Sequence, residues 1–144
     1  MTVKHINTAD DLAQAFSIRK HVFVEEQGVA LKDEFDHYDQ LTPAVQHLLV
    51  LDKGQAVGTA RLREVDGQGK FERICLLKQA RGQGLGRDIL IALEALAITR
   101  GLTRVKLHAQ THAEGFYQSL GYRTDSDVFD EDGLPHVRMV KTLS

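Results

Sequence analysis

Residues 79–90 of this chain read QARGQGLGRDIL, with Gly82, Gly84 and Gly86 at alternate positions, Arg81 ahead of them and an apolar helical pattern behind. Glycine costs a helix stability. Three of them at a helix start therefore constrain what the segment does. The first turn of a helix carries unpaired N–H groups and a partial positive charge, and a phosphate placed there accepts several hydrogen bonds at once. Glycine removes the side chains that would block the approach, so a nest of successive amides can close around an anion. Arg81 adds a fixed positive charge beside it. The pattern points to a phosphate or pyrophosphate ligand; the bland alternative is a loop that merely turns tightly. Two common nucleotide motifs fail on spacing. A P-loop needs Lys and a hydroxyl after its last glycine, whereas Arg87 and Asp88 follow Gly86; a Rossmann fingerprint needs G-x-G-x-x-G.

The rest of the chain is read from periodicity. TVKHI alternates as a first strand. Thr8 and Asp11 resemble a capping box that opens a helix carrying Leu12, Phe16, Arg19 and Phe23, with Leu12, Phe16 and Phe23 as its buried stripe and Gly28 at its end. An acidic, irregular stretch follows, LKDEFDHYDQLTP. VQHLLVLDKGQAVGTARLREVD reads as a hairpin turning at Lys53–Gly54. Gly67 and Gly69 mark a second turn before the strand KFERICLL. The glycine segment then opens a helix with Ile89, Leu90, Leu93, Leu96 and Ala97 on its apolar side and Gly101 as C-terminal cap. RVKLHA is a strand. Thr111 and Glu114 form another capping-box pattern before the short helix AEGFYQSL, ended by Gly121, and a hairpin around DEDG returns as HVRMVKTL. This order implies a mixed α/β (α+β) domain spanning residues 1–144, a mostly antiparallel sheet with helices on its faces.

Charge and cysteine usage narrow the partners. Lys plus Arg number 18 against 20 Asp plus Glu, a net charge of −2, which argues against a nucleic-acid binder. The single Cys75 excludes an internal disulfide and fits a reducing compartment, so the cytoplasm is the expected setting. MTVKHINTADD has no apolar signal core, and no stretch approaches the ~20 apolar residues of a membrane span.

ICLLKQARGQGLGRDIL resembles motif A of the GNAT acyltransferases, a strand followed by [RQ]-x-x-G-x-[GA] and a helix, with Arg81, Gly84 and Gly86 at the defining positions. AQTHAEGFYQSLGYR resembles motif B, with Phe116-Tyr117 and Gly121-Tyr122 where F-Y-x-x-x-G-[FY] belongs. IRKHVFVEEQGV and DGLPHVRM are similar to the small ElaA-like branch. The resemblance covers nearly the whole chain and implies the GNAT fold, acetyl-CoA (coenzyme A) as cofactor and an amine as acceptor. It implies a cofactor site of Arg81, Gly82, Gln83, Gly84, Leu85, Gly86 and Arg87, with the diphosphate on the amides of Gln83 to Arg87. The pantetheine arm is expected on the backbone of Cys75, Leu76 and Leu77, where the family's strand splays from its neighbour. Phe116 and Gln110 complete the set, Gln110 standing near the place where many members have a cofactor-contacting Asn. A homodimer is an assembly open to such folds.

Acyl transfer from a thioester needs a neutral nucleophile, a stabilised oxyanion and a protonated leaving thiol. An alkyl amine with a pKa near ~10.4 is almost wholly protonated at pH 7, so a base must act on it. The Leu76 N–H is the expected oxyanion donor. Tyr117 is the expected acid, against the plainer reading of an aromatic packed beside Phe116. Glu72 is the candidate base, against an exposed strand residue; Glu25 and Glu26 are weaker ones. The acidic run of Asp33, Glu34, Asp36 and Asp39 attracts a cationic amine, or else is a solvated loop. Glu26, Glu34, Asp36 and His136 are the candidate acceptor residues. Strand alternation aims Glu72 away from Cys75, so Cys75 reads as a small buried residue rather than a nucleophile, and direct transfer in a ternary complex is expected. No metal site is expected: a strand-to-helix junction separates His108 from His112, and DEDG fails the calcium-loop spacing. Two functions follow: an N-acetyltransferase acting on a small primary amine, or a non-catalytic acyl-CoA sensor that needs the glycine turn but neither Tyr117 nor a base.

Overall fold

The structure, a computed structural model, describes residues 2–143. Strand β1 (Thr2–His5) leads into helix α1 (Ala9–Arg19), where the Thr8 hydroxyl accepts a hydrogen bond from the Asp11 amide at 3.2 Å. The reciprocal half of the capping box is missing, because the Asp11 carboxylate pairs with Lys4 instead. The helix then widens into a π-helical segment, Lys20–Glu26, in which the Gln27 N–H reaches back to Val22 O. The buried stripe differs from the expected one. Leu12, Ala15, Ile18 and Val22 are buried, while Phe16 and Phe23 are half-buried. Phe16 packs edge-on against Phe35 of the following loop, at 5.2 Å.

A single helical turn, α2 (Leu31–Glu34), begins the acidic stretch. Strands β2 (Val45–Asp52), β3 (Gln55–Val65) and β4 (Gln68–Leu76) form an antiparallel meander. Its turns are Lys53–Gly54 and Asp66–Gly67, both residues of each at positive φ, the geometry that suits the twist of a two-residue hairpin. Gly69, expected in the second turn, lies within β4 instead. Its bare Cα faces Leu62, Val105 and Leu102, and an added Cβ would stand 3.2–3.3 Å from them.

Helix α3 (Leu85–Thr99) buries Leu85, Ile89, Leu90, Leu93 and Ala97. It covers one sheet face at Leu48, Val50, Ala60, Leu62 and Phe71. Its end is capped at Gly101, with the Leu102 N–H bonded to Ala97 O. Truncating a fully buried leucine here, such as Leu93, is expected to cost about 2–5 kcal/mol. Strand β5 (Arg104–Gln110) leads through a 3₁₀ turn, Thr111–Ala113, to the short helix α4 (Glu114–Ser119). No side chain caps α4. The Glu114 carboxylate is engaged by the Thr124 hydroxyl, so the second capping box does not form. Strands β6 (Arg123–Thr124), β7 (Phe129–Glu131) and β8 (Leu134–Thr142) close the chain, β7 and β8 turning at Asp132–Gly133.

The sheet order is β1-β2-β3-β4-β5-β8-β6, with β7 on β8. Every pairing is antiparallel except β4 with β5. α1 packs on the opposite face from α3, over Leu49 and Cys75. Among the described residues no helix is long and apolar enough to cross a membrane.

Candidate active site

β4 and β5 pair only from Gly69–Val105 to Phe71–Leu107, and beyond that point the ladder stops. A bulge in β4 sits at the split. Thr59 pairs with Cys75 and Arg61 with Glu72, so Arg73 and Ile74 together stand opposite Ala60, and Arg73 has φ 56°. A bulge adds one residue and bends its strand. It also resets the alternation: Thr59 and Arg61 share a face, so their partners Cys75 and Glu72 share it too. Plain alternation, which sets those two residues on opposite faces, is corrected by the bulge.

The split opens a cleft of about 600 Å³. The Leu77 N–H bonds to Val57 O across β3, and Leu77 O accepts from Ala80. Leu76, one residue back, therefore turns its N–H and C=O toward the cleft. Cys75 faces inward, buried, and burial pushes its thiol up to about 12. Of the three residues expected to offer free backbone to a ligand, Leu76 alone turns away from β3, and it offers only its N–H. Its carbonyl accepts from Arg81 Nε and Nη2 at 3.1 and 2.9 Å.

The glycines serve two different ends. Gly82 and Gly84 have φ of 78° and 82°, left-handed geometry that a side chain disfavours, and the space where a Cβ would stand is open. Gly86 is different: a Cβ there would stand 3.2 Å from the Phe116 ring, so its bareness permits α3 to approach α4. Gly84 is the N-cap and has no side chain to cap with. The first helical bond runs from Asp88 N–H to Gly84 O, which leaves the amides of Leu85, Gly86 and Arg87 without helical acceptors. The Leu85 side chain itself is buried in the core.

Tyr117 lies buried along the cleft wall, edge-on to Phe116 and Tyr122 at 5.1 and 5.9 Å. Its hydroxyl has no side-chain or backbone partner among the described residues, whereas Tyr122 donates to Glu94. Burial raises the Tyr117 phenol to about 12, so it stays protonated at neutral pH. Gln110 donates Nε2–H to Gln27 Oε1 at 2.7 Å and accepts from His112 Nε2, which ties the end of β5 to the π-helical segment.

The carboxylates expected to meet an amine are engaged elsewhere. Glu72 accepts from Arg61, Arg63 and Lys70 at 3.0, 2.8 and 3.1 Å. Burial alone would raise its pKa, but the Arg63 hydrogen bond with the Arg61 and Lys70 charges holds it at about 2. A carboxylate so held is a poor base, and the base assignment to Glu72 is corrected on that ground. Asp36, though exposed as a residue, is gripped by Arg61 Nη1 and Nη2 and likewise sits at about 2, these bonds outweighing its partial desolvation. Glu34 is buried against Arg19 and Arg73, and Asp39 bridges Arg19 and Arg61. The acidic run is thus an ion network that ties its loop to α1, β3 and β4. Both Glu34 and Asp36 fall in that network; Glu34 also lines the cleft, whereas Asp36 does not, and Asp33 alone of the run stays exposed and unpaired among the described residues. Glu26 is bound bidentately by Arg81.

His136 does line the cleft, as expected, with Nδ1–H donated to Leu134 O. Beside it lies a pair that the sequence reading passed over. His108 Nδ1 donates to Glu131 Oε1 at 2.8 Å, and His136 Nε2 stands 3.6 Å from Glu131 Oε2. The signal was present in RVKLHAQ, where alternation puts His108 opposite in facing to Leu107, and in the Asp132–Gly133 turn that folds Glu131 back over β8.

Residues 17–143 match the model of the Acetyltransferase (GNAT) domain. The chain belongs to the GNAT acetyltransferase family. Among its GNAT relatives, YyaT of Bacillus subtilis is 51% identical over 144 residues, which is 100% of this chain and 97% of YyaT. ElaA of Escherichia coli is 30% identical over 140 residues, 94% of this chain and 90% of ElaA. The crystal structure of ElaA superposes with a TM-score of 0.85 over 98% of this chain and 99% of that one. A Lactobacillus plantarum protein, 34% identical, superposes with a TM-score of 0.90 over 99% and 98% of the two chains. An aminoglycoside 6'-N-acetyltransferase complexed with coenzyme A shares the GNAT fold at 15% identity, with a TM-score of 0.79 over 99% and 97%. Membership in this family supports a transferase, acyl transfer from acyl-CoA being the family's general reaction.

Proposed function

We propose that this chain transfers an acetyl group from acetyl-CoA to the amine of a small molecule, by direct attack while both are bound. One observation carries the reading: the split in the sheet that Tyr117 lines is lined also by Arg81, at the head of the glycine turn whose helix start leaves the amides of Leu85, Gly86 and Arg87 without acceptors. The cradle fits a diphosphate. Space over Gly82 and Gly84 is open, no side chain caps the helix, and its dipole favours an anion. The amides of Gln83 to Arg87 would hold the diphosphate, with Arg81 beside them and Phe116 packed under Gly86. The GNAT neighbour complexed with coenzyme A supports the choice of ligand.

Bound there, acetyl-CoA supplies an activated acyl group. The Leu76 N–H, turned into the cleft, donates to the oxygen on which charge develops. Tyr117 hydrogen-bonds the leaving sulfur and passes it a proton as the nitrogen's second proton returns to the phenol; the thiol, near ~8.5, is the stronger acid, so that returning proton and not the phenol's acidity drives the transfer. Cys75 remains an inert thiol. The single buried cysteine suits a reducing cytoplasm. The test is thiol release from acetyl-CoA against a panel of small primary amines, with binding followed by calorimetry. Amine-dependent release supports the transferase; tight acetyl-CoA binding with no release by any amine favours the sensor.

A further inference from the structure

We infer that His108, oriented by Glu131, takes the proton from the incoming ammonium; this rests on the transferase reading above. Glu131 accepts at Nδ1, so that nitrogen carries the hydrogen and Nε2 of the neutral ring keeps its lone pair. The carboxylate thereby fixes both tautomer and ring direction, the arrangement by which an oriented imidazole serves as a base. Nε2 of His108 has no partner among the described residues, and the ring lines the same cleft as Tyr117.

Position supports the role. His108 is the first residue of β5 past the last paired one, Leu107. Continuing that register sets it beside Glu72 on the face away from α3. Glu72 is neutralised by three cations, Glu34 by two arginines and Glu26 by Arg81. His136 points both nitrogens at acceptors, Leu134 O and Glu131 Oε2. His112, whose Nε2 holds Gln110 Oε1, and the exposed Asp132 also line the cleft; His108 differs from both in having its ring fixed by a carboxylate with Nε2 left without a partner among the described residues.

The protons balance. Nε2 of His108 removes one from R–NH3⁺ and later releases it to water at the cleft mouth. The neutral nitrogen forms the C–N bond as the C–S bond breaks and its electron pair leaves on sulfur. Tyr117 protonates the sulfur and recovers the second nitrogen proton. The sum is amide, free thiol and one proton in solution.

The titratable and charged groups on the elements packed about His108 are Glu131 and Asp132 from β7 and its turn, His136 and Arg138 from β8, Lys70, Glu72 and Arg73 from β4, and Lys106 on β5 itself. The test compares wild type, His108→Gln and Glu131→Gln with the best amine of the panel and with hydroxylamine, whose nitrogen is uncharged at pH 7. His108→Gln is expected to slow the ammonium reaction about a hundredfold or more. It leaves acetyl-CoA affinity and the hydroxylamine rate, above background, near wild type. Glu131→Gln is expected to move the acid limb of kcat/KM to lower pH. A His108→Gln protein equal to wild type, or one that loses both reactions alike, overturns the inference while the transferase reading stands. An acid limb unmoved in Glu131→Gln removes the positioning role. A wild type that binds acetyl-CoA but releases thiol to no nucleophile overturns both.

Discussion

Arg81 grips Glu26 with two guanidinium nitrogens, at 2.6 and 2.8 Å, and at the same time donates to the carbonyl of Leu76. One side chain thus joins the π-helical segment, the end of β4 and the approach to α3. Arg81 directly precedes the glycine turn, so Glu26 competes with any phosphate for it.

Neutralising that competitor frees the guanidinium. Glu26→Gln is expected to tighten coenzyme A binding by no more than about fivefold, because an exposed pair is worth at most about 1 kcal/mol. Calorimetry at two salt concentrations reads the effect, and it shrinks at the higher one.

Gly84 separates backbone need from charge. Gly84→Asn is expected to keep most coenzyme A affinity, since Asn tolerates the left-handed region. Gly84→Glu is expected to abolish it, because a carboxylate at the cradle repels the diphosphate. Retained affinity in Gly84→Glu counts against the site.

Tyr117→Phe removes one oxygen from a buried ring. Turnover is expected to fall about a hundredfold or more while acetyl-CoA affinity holds within a small factor. Steady-state kinetics with direct binding separates the two; unchanged turnover removes the acid assignment.

Glu72 governs stability and its acid limit. Its pKa falls from 4.5 to about 2 on folding, and that of Asp36 from 3.8 to about 2. The unfolded chain holds these protons more tightly. The stabilisation is complete above about pH 5 and drains away as pH falls toward 2, with Glu72 contributing on the order of 3 kcal/mol. Glu72→Gln, which leaves Arg61 and Arg63 underneutralised, is expected to lower the melting temperature sharply and flatten the acid limb of a thermal-melt series. Turnover per folded molecule is expected to survive; its loss restores Glu72 as the base.

The glycine turn was legible because its demands are local: positive φ at Gly82 and Gly84 and an uncapped helix start are written in consecutive residues. The position of Tyr117 on a short helix was legible for the same reason; its role was implied by the family resemblance. Glu72 was misread because its neighbours Arg61 and Arg63 come from another strand and a bulge decides which way it faces. Glu34 and Asp36 were read as acceptor residues or a solvated loop because nothing in LKDEFDHYDQLTP announces that Arg19, Arg61 and Arg73 converge on it. His108 and Glu131 stayed hidden because their meeting depends on β7 folding over β8 and on where β5 leaves β4. Even the two capping boxes show the limit: Asp11 and Glu114 fit the pattern, but Lys4 and Thr124 outcompete the backbone for them.

The three-residue ladder between β4 and β5 is the one parallel junction among the described residues. It divides the sheet into two antiparallel blocks, β1 to β4 on one side and β5 to β8 on the other, basted along a short seam. Anything with hydrogen-bonding groups on both flanks that lodges in the gap acts as mortar between them. Occupancy then adds stability by mass action and makes the two blocks come apart together, so the ligand is in effect a missing strand of the fold.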